Sequence, residues 1–230
     1  MLPGPVTRPR VRWGLWDFAI AWAVGLFGAL AGAVLVVDAR KPVQLIVLVV
    51  AQNVAIIGYL AWVARNKGVG SLHADFGLVV RAGDLGWFLA GIGLQLVSLI
   101  PTALLVAVHG DDAKQDVVNV ANRSEGFEIP LIILGVSVLV PIAEELLFRG
   151  MLLRGLLRRM EPGLAVLVSA VVFGGIHAVG DPSLGTVIAL PVLMLLGVVA
   201  GAQAVSSGEL SRPILLHMGF NALTAVFLFV

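Results

Sequence analysis

The sequence predicts an all-α protein, a polytopic membrane bundle of about seven helices, and three observations carry that prediction. Hydrophobic residues fill 59% of the 230 positions and another 27 are glycine, against about 45–50% apolar residues, glycine included, in soluble domains. Charged residues are only 13%, about half the soluble average and too few to cover a water-facing surface. Apolar runs of the ~20 residues needed to cross a hydrocarbon core recur between charge clusters. The formal charge of +1 leaves no excess of basic groups for neutralising phosphates, so a nucleic-acid binder is excluded. The absence of cysteine excludes disulfides, thiolate-bound metals and cysteine nucleophiles. Any metal would have to use His, Asp or Glu.

The spans follow in order. Gly14 to Val37 comes first, after Arg8, Arg10 and Arg12. Ala29-Leu30-Ala31 imitates a signal cleavage site, yet the apolar run continues to Val37 with no polar region before it, so the segment reads as a retained span. Val43 to Ala64, Leu85 to Val108, Ile129 to Leu153, Gly163 to Val179, Gly185 to Val205 and Pro213 to Val230 complete the set. With neither repeats nor a linker, residues 1–230 form one integral membrane domain. With the N-terminus inside, Arg8, Arg10, Arg12, Arg65, Lys67, Arg81, Arg154, Arg158, Arg159 and Arg212 lie on inner segments, and Arg40, Lys41, Lys114 and Arg123 on outer ones. The outer loop from His109 to Glu128 carries Asp111, Asp112, Asp116, Glu125 and Glu128, and Trp13, Trp16, Trp62 and Trp87 fall near inner boundaries. Both the basic bias and the aromatic belt give N-in, C-out.

Polar groups inside the spans mark the site. In the fourth span the apolar run from Ile129 to Ala143 is about 22 Å long, too short for a core of about 30 Å, so Glu144 and Glu145 must be immersed. An ionised group at a helix centre costs roughly 2.5–3.5 kcal/mol and needs compensation. Glu145 and Arg149, spaced i, i+4, share a face and compensate each other, while Glu144 is rotated about 100° away. Pro141 lacks an N–H and frees a carbonyl one turn earlier, so a kink is expected just before the acidic pair. The bland reading has all three charges leave the helix early and snorkel to the headgroups; the apolar residues Leu146, Leu147, Phe148, Met151, Leu152 and Leu153 weigh against it. The fifth span carries His177 with Phe173 one turn earlier, and the seventh carries His217 and Asn221 at i, i+4. Each alone reads as a polar helix-packing contact; three spans together point to one shared site, about 10–15 Å below the inner surface. Gln52, Asn53, Gln95 and Ser98 read as interhelical hydrogen bonds, Gly197 and Gly201 as a close helix crossing, and His73 and His109 as solvated loop residues.

A carboxylate, two imidazoles and an amide suit water activation with oxyanion stabilisation, the needs of peptide hydrolysis. The alternative is metal-assisted hydrolysis with Glu144, His177 and His217 binding zinc. Against it, the H-E-x-x-H signature is absent and no second carboxylate can be named behind either His.

Glu144-Glu145-x-x-Phe148-Arg149-Gly150, then Phe173-x-x-x-His177, then His217-x-x-x-Asn221, on successive hydrophobic helices, resemble the motifs of the CPBP intramembrane proteases. This is the CAAX protease and bacteriocin-processing family, which includes the Ras-converting endoproteases. The motif-bearing region is 129–230. The resemblance implies that Glu144 and His177 activate the hydrolytic water, that His217 with Asn221 holds the oxyanion, and that Glu145, Arg149 and Phe173 support the site. It implies an endopeptidase requiring no cofactor, with zinc at Glu144, His177 and His217 as the alternative, acting on a membrane-associated peptide or protein near the inner face of the bilayer. The Ala-, Val- and Gly-rich composition points to a bacterial plasma membrane. A catalytically silent scaffold or immunity protein would keep the same residues. A proton-coupled transporter would show repeated broken helices, and none is found. Nothing in the sequence fixes an oligomeric state.

Overall fold

The structure, a computed structural model, describes residues 11–37, 39, 41–109, 123–180, 184–227 and 229; the side chains at 101–109, 180, 184–186 and 188 lie outside the description. Among the described residues all regular structure is helical. The long helices are α1 (Leu15–Leu35), α2 (Lys41–Lys67), α4 (Gly86–His109), α5 (Glu128–Leu156), α6 (Pro162–Gly180), α7 (Leu184–Ser207) and α8 (Ser211–Phe227). Each of the seven expected spans therefore has its helix. Six of them are long and apolar enough to cross a membrane; α8, with 17 residues, is a residue under that length criterion. Of the acidic residues expected in the outer loop, Asp111, Asp112 and Asp116 lie outside the described residues, as do Arg8, Arg10, Arg40 and Lys114, whereas Glu128 is the first residue of α5, 3% exposed, where its carboxylate accepts from the Glu125 N–H.

The helices pack chiefly as sequence neighbours, α1 on α2 and α6 on α7, with α8 returning to α4. Helix α5 runs among them, touching α1, α2, α6, α7 and α8. Every residue from Glu145 to Leu153 is buried. A helix apolar all round is one surrounded by protein, and this one carries the acidic motif. Glycines close several crossings, among them that of α1 on α2, where a Cβ at Gly28 would come within 2.8 Å of the Ala51 carbonyl. A Cβ at Gly197 would come within 2.9 Å of Ala170 on α6, and one at Gly201 within 3.1 Å of Val166, so that pair is a close-packing surface, as expected. The crossing of α4 and α8 was not anticipated: a Cβ at Gly91 would run into the Leu216 carbonyl, and one at Gly219 into that of Phe88, so α4 and α8 meet backbone to backbone.

Several local expectations are corrected. His73 sits in a short helix, α3 (Leu72–Phe76), capped by Ser71, which accepts from the Ala74 N–H; it is exposed, with Nδ1 3.2 Å from the Leu78 carbonyl. His109 is the last residue of α4 rather than a loop residue. Asn53 donates to the Val49 carbonyl and Ser98 to the Gln95 carbonyl, bonds made within their own helices, where an i−4 or i−3 carbonyl is always in reach. Trp16 and Trp62 are exposed, but Trp13 is 5% exposed. Its ring lies 5.1 Å from that of Phe76 and under the Arg158 guanidinium, while its Nε1–H donates to Asp75. The lone indole donor had a buried acceptor available, which outcompetes the headgroup layer.

Candidate active site

The site is built from α5, α6 and α8. Around Pro141 the expected disturbance takes a specific form: Gly135–Leu139 is one wide turn in which the Val140 N–H reaches back five residues to the Gly135 carbonyl. Such π-bulges relieve a break in the α-helical ladder without ending the helix. The helix resumes over Val140–Glu145, and a second wide stretch, Leu146–Leu153, follows the acidic pair.

Glu145 is fully buried. Its Oε1 accepts from Arg149 Nη1 at 2.8 Å and from His217 Nδ1 at 2.9 Å. Arg149, 1% exposed, also donates from Nη2 to the Gly197 carbonyl of α7 at 3.3 Å and lies 4.6 Å over the Phe173 ring. The ion pair thus anchors three helices to one another. Phe173 is fully buried, edge-on to Phe148, His177 and His217 at 5.0, 4.7 and 5.8 Å. A planar ring at that point fixes both imidazole planes.

Glu144 turns the other way, as the 100° step between adjacent helical residues requires. Its Oε1 is 3.8 Å from His177 Nε2 and its Oε2 is 3.7 Å from His217 Nε2. The opposite nitrogens fix the tautomers. His177 Nδ1 lies 2.7 Å from the Phe173 carbonyl, which can only accept, so Nδ1 carries the hydrogen; His217 Nδ1 likewise faces the Glu145 carboxylate. Each ring, with a hydrogen on Nδ1, therefore turns its Nε2 toward Glu144. A carboxylate flanked by two ring nitrogens at such distances has room for a water that donates to the carboxylate and to one imidazole at about 2.8 Å. The Glu144 and His177 side chains are 19% and 31% exposed, against 3% for His217 and 0% for Glu145. Access is thus from the Glu144–His177 side.

Asn221, one turn beyond His217, donates from Nδ2 to the Val136 carbonyl at 3.0 Å. Sequence reasoning missed that carbonyl, and it missed the Gly197 carbonyl as a partner of Arg149. The signal for the first was Pro141, which announces a freed carbonyl without saying which one. The carboxylate sought behind a histidine is Glu145, behind His217. Ligands sharing a tetrahedral zinc at 2.0–2.1 Å lie about 3.3 Å apart, closer than the 3.7 and 3.8 Å separations here. Among the described residues no group of three His, Asp or Glu is arranged to hold a metal ion.

The fold and site define a polytopic helical membrane protein with a carboxylate–imidazole centre inside the bundle. Residues 126–223 match the model of a protein family described as type II CAAX prenyl endopeptidase Rce1-like. The match contains every site residue named above and bears out the family resemblance read from the motifs; α1, α2, α3 and α4 lie outside it. That family is one of proteases, which supports a hydrolase role in general. Neither a curated protein nor a solved structure matches the chain.

Proposed function

We propose that the protein is an intramembrane endopeptidase that hydrolyses a peptide bond of a membrane-associated peptide or protein with water activated by Glu144 and His177. One observation carries this reading: the two Nε2 atoms face the two oxygens of a single, mostly buried carboxylate. Glu144 removes a proton from a water that also donates to His177 Nε2, and the water oxygen adds to the substrate carbonyl carbon. The carbonyl electron pair moves to oxygen. His217, held at Nδ1 by Glu145, takes up a proton from solvent at Nε2 as substrate binds, keeps it through the cycle and donates from Nε2 to that oxyanion, and the Glu145 carboxylate balances the imidazolium charge. Glu144 then passes its proton to the amide nitrogen as the C–N bond breaks.

The basic bias of the sequence supports an N-in, C-out chain with its substrate near the inner face of a plasma membrane. Labelling sites fused at Asp116 and Arg159 are expected on opposite sides; labelling from one side would mean that α5 does not cross.

The test is cleavage of a membrane-anchored model peptide by purified protein in liposomes, with Glu144→Gln as control. Turnover that Glu144→Gln abolishes supports the reading; a folded protein that cleaves nothing supports the silent scaffold. Metal analysis of the active protein decides the chemistry: one zinc per chain, lost with activity on chelation and restored with it, overturns the metal-free mechanism.

A further inference from the structure

The Val136 carbonyl has a defined reason to be free. In an unbroken α-helix it would accept from the N–H of residue 140, but that N–H is taken by Gly135. In the wide turn the next donor in sequence would be residue 141, which is proline and has none. A backbone acceptor stranded inside a membrane bundle costs free energy comparable to a lost hydrogen bond. Asn221 Nδ2 supplies the missing bond at 3.0 Å from a different helix. The bond joins α8, four residues after His217, to α5, eight residues before Glu144.

We propose that Asn221 is a positioning residue: its bond to the carbonyl stranded by Pro141 clasps α8 to α5 and sets the distance between His217 and Glu144. This role rests on the hydrolytic reading for its kinetic consequence and differs from the direct oxyanion contact that the family resemblance implies. With one N–H committed to Val136, the amide's orientation is dictated by the helix pair. The clasp explains why an amide is needed one turn past the histidine on α8, where a hydroxyl would bond back to its own helix.

A double-mutant cycle between Asn221→Ala and Pro141→Ala tests it in purified protein. Alanine at 141 restores an N–H able to close the stranded carbonyl within α5, so it removes the need for the clasp, and its own effect cancels in the cycle. Asn221→Ala is expected to lower kcat about tenfold with KM unchanged in the wild-type background, and about twofold or less with Pro141→Ala, the size of coupling found between contacting residues. The fall in Tm caused by Asn221→Ala should shrink in the same way. Equal losses in both backgrounds, in kcat and in Tm, would overturn the proposal and leave Asn221 as a direct oxyanion donor. If no peptide is cleaved by the wild type, the hydrolytic reading fails, and the Tm cycle alone upholds or overturns the clasp. Should Asn221→Ala fail to accumulate, Asn221→Leu removes the donors while keeping the volume.

Discussion

Two sets of buried carboxylates in this molecule are treated in opposite ways. Near one end of the bundle, Asp75 is 3% exposed and saturated: it accepts from the Val69 and Gly70 N–H groups and from Trp13 Nε1. Close by, Asp17 at the start of α1 takes Lys67, Tyr59 and the Gly14 N–H. In the middle of α5, Glu144 Oε2 and Glu145 Oε2 have no hydrogen-bond partner. Burial of polar groups is tolerated when each is paired. The saturated aspartates fasten α1, α2 and α3, and their capacity is spent on that. The glutamates each keep an acceptor unused, that of Glu144 facing an imidazole Nε2, the unsaturated arrangement that a proton-transfer site needs before substrate arrives.

Glu144→Gln breaks the contrast at its chemical end. It keeps size but cannot take a proton, so the protein stays folded while hydrolysis falls on the order of 10²–10⁴-fold. His177→Ala should lose a similar amount; unchanged turnover in either variant would remove that residue from the chemistry. Arg149→Ala tests the link between chemistry and packing. It strands Glu145 beside His217, at a cost of about 3–5 kcal/mol, so loss of folded protein should accompany loss of activity in thermal-unfolding and turnover measurements. Wild-type stability with activity alone lost would move Arg149 into the reaction.

At the saturated end, Asp75→Ala should lower stability on the order of 2 kcal/mol by removing a charged acceptor, while turnover per folded molecule is preserved. A matching loss of turnover would mean that the end of the bundle couples to the site. The smallest effect is expected at Arg81–Glu209, an exposed bidentate pair with bonds of 2.6 and 2.5 Å. The Arg81 hydrogen bonds hold the Glu209 carboxyl below its ordinary value. The pair's contribution is therefore present above the ordinary carboxylate range and lost as pH falls through the lower folded value. Exposed pairs contribute little, so Glu209→Gln should leave Tm near wild type at neutral pH and flatten only the acid limb of the stability profile.

The sequence by itself determined the helices, because crossing a hydrocarbon core demands long apolar runs and those runs are visible one at a time. The fourth was expected over Ile129 to Leu153 and is found as Glu128–Leu156. The same local logic paired Glu145 with Arg149 and turned Glu144 away, since i, i+4 spacing and a 100° step are properties of one helix. Only the tertiary structure decided what those groups meet. That His217 presents Nδ1 to Glu145 and Nε2 to Glu144 depends on how α8 seats against α5. The approach of Gly91 to Leu216 and of Gly219 to Phe88 sets how closely α8 lies on α4, an approach that hydrophobicity cannot encode. The amide of Asn53, expected to bond between helices, donates within its own, while the unremarked Val136 carbonyl acquired a partner 85 residues away. Hydropathy reports how far each helix extends along the membrane normal; which faces touch is fixed by small residues and stranded backbone groups, whose partners lie in other helices.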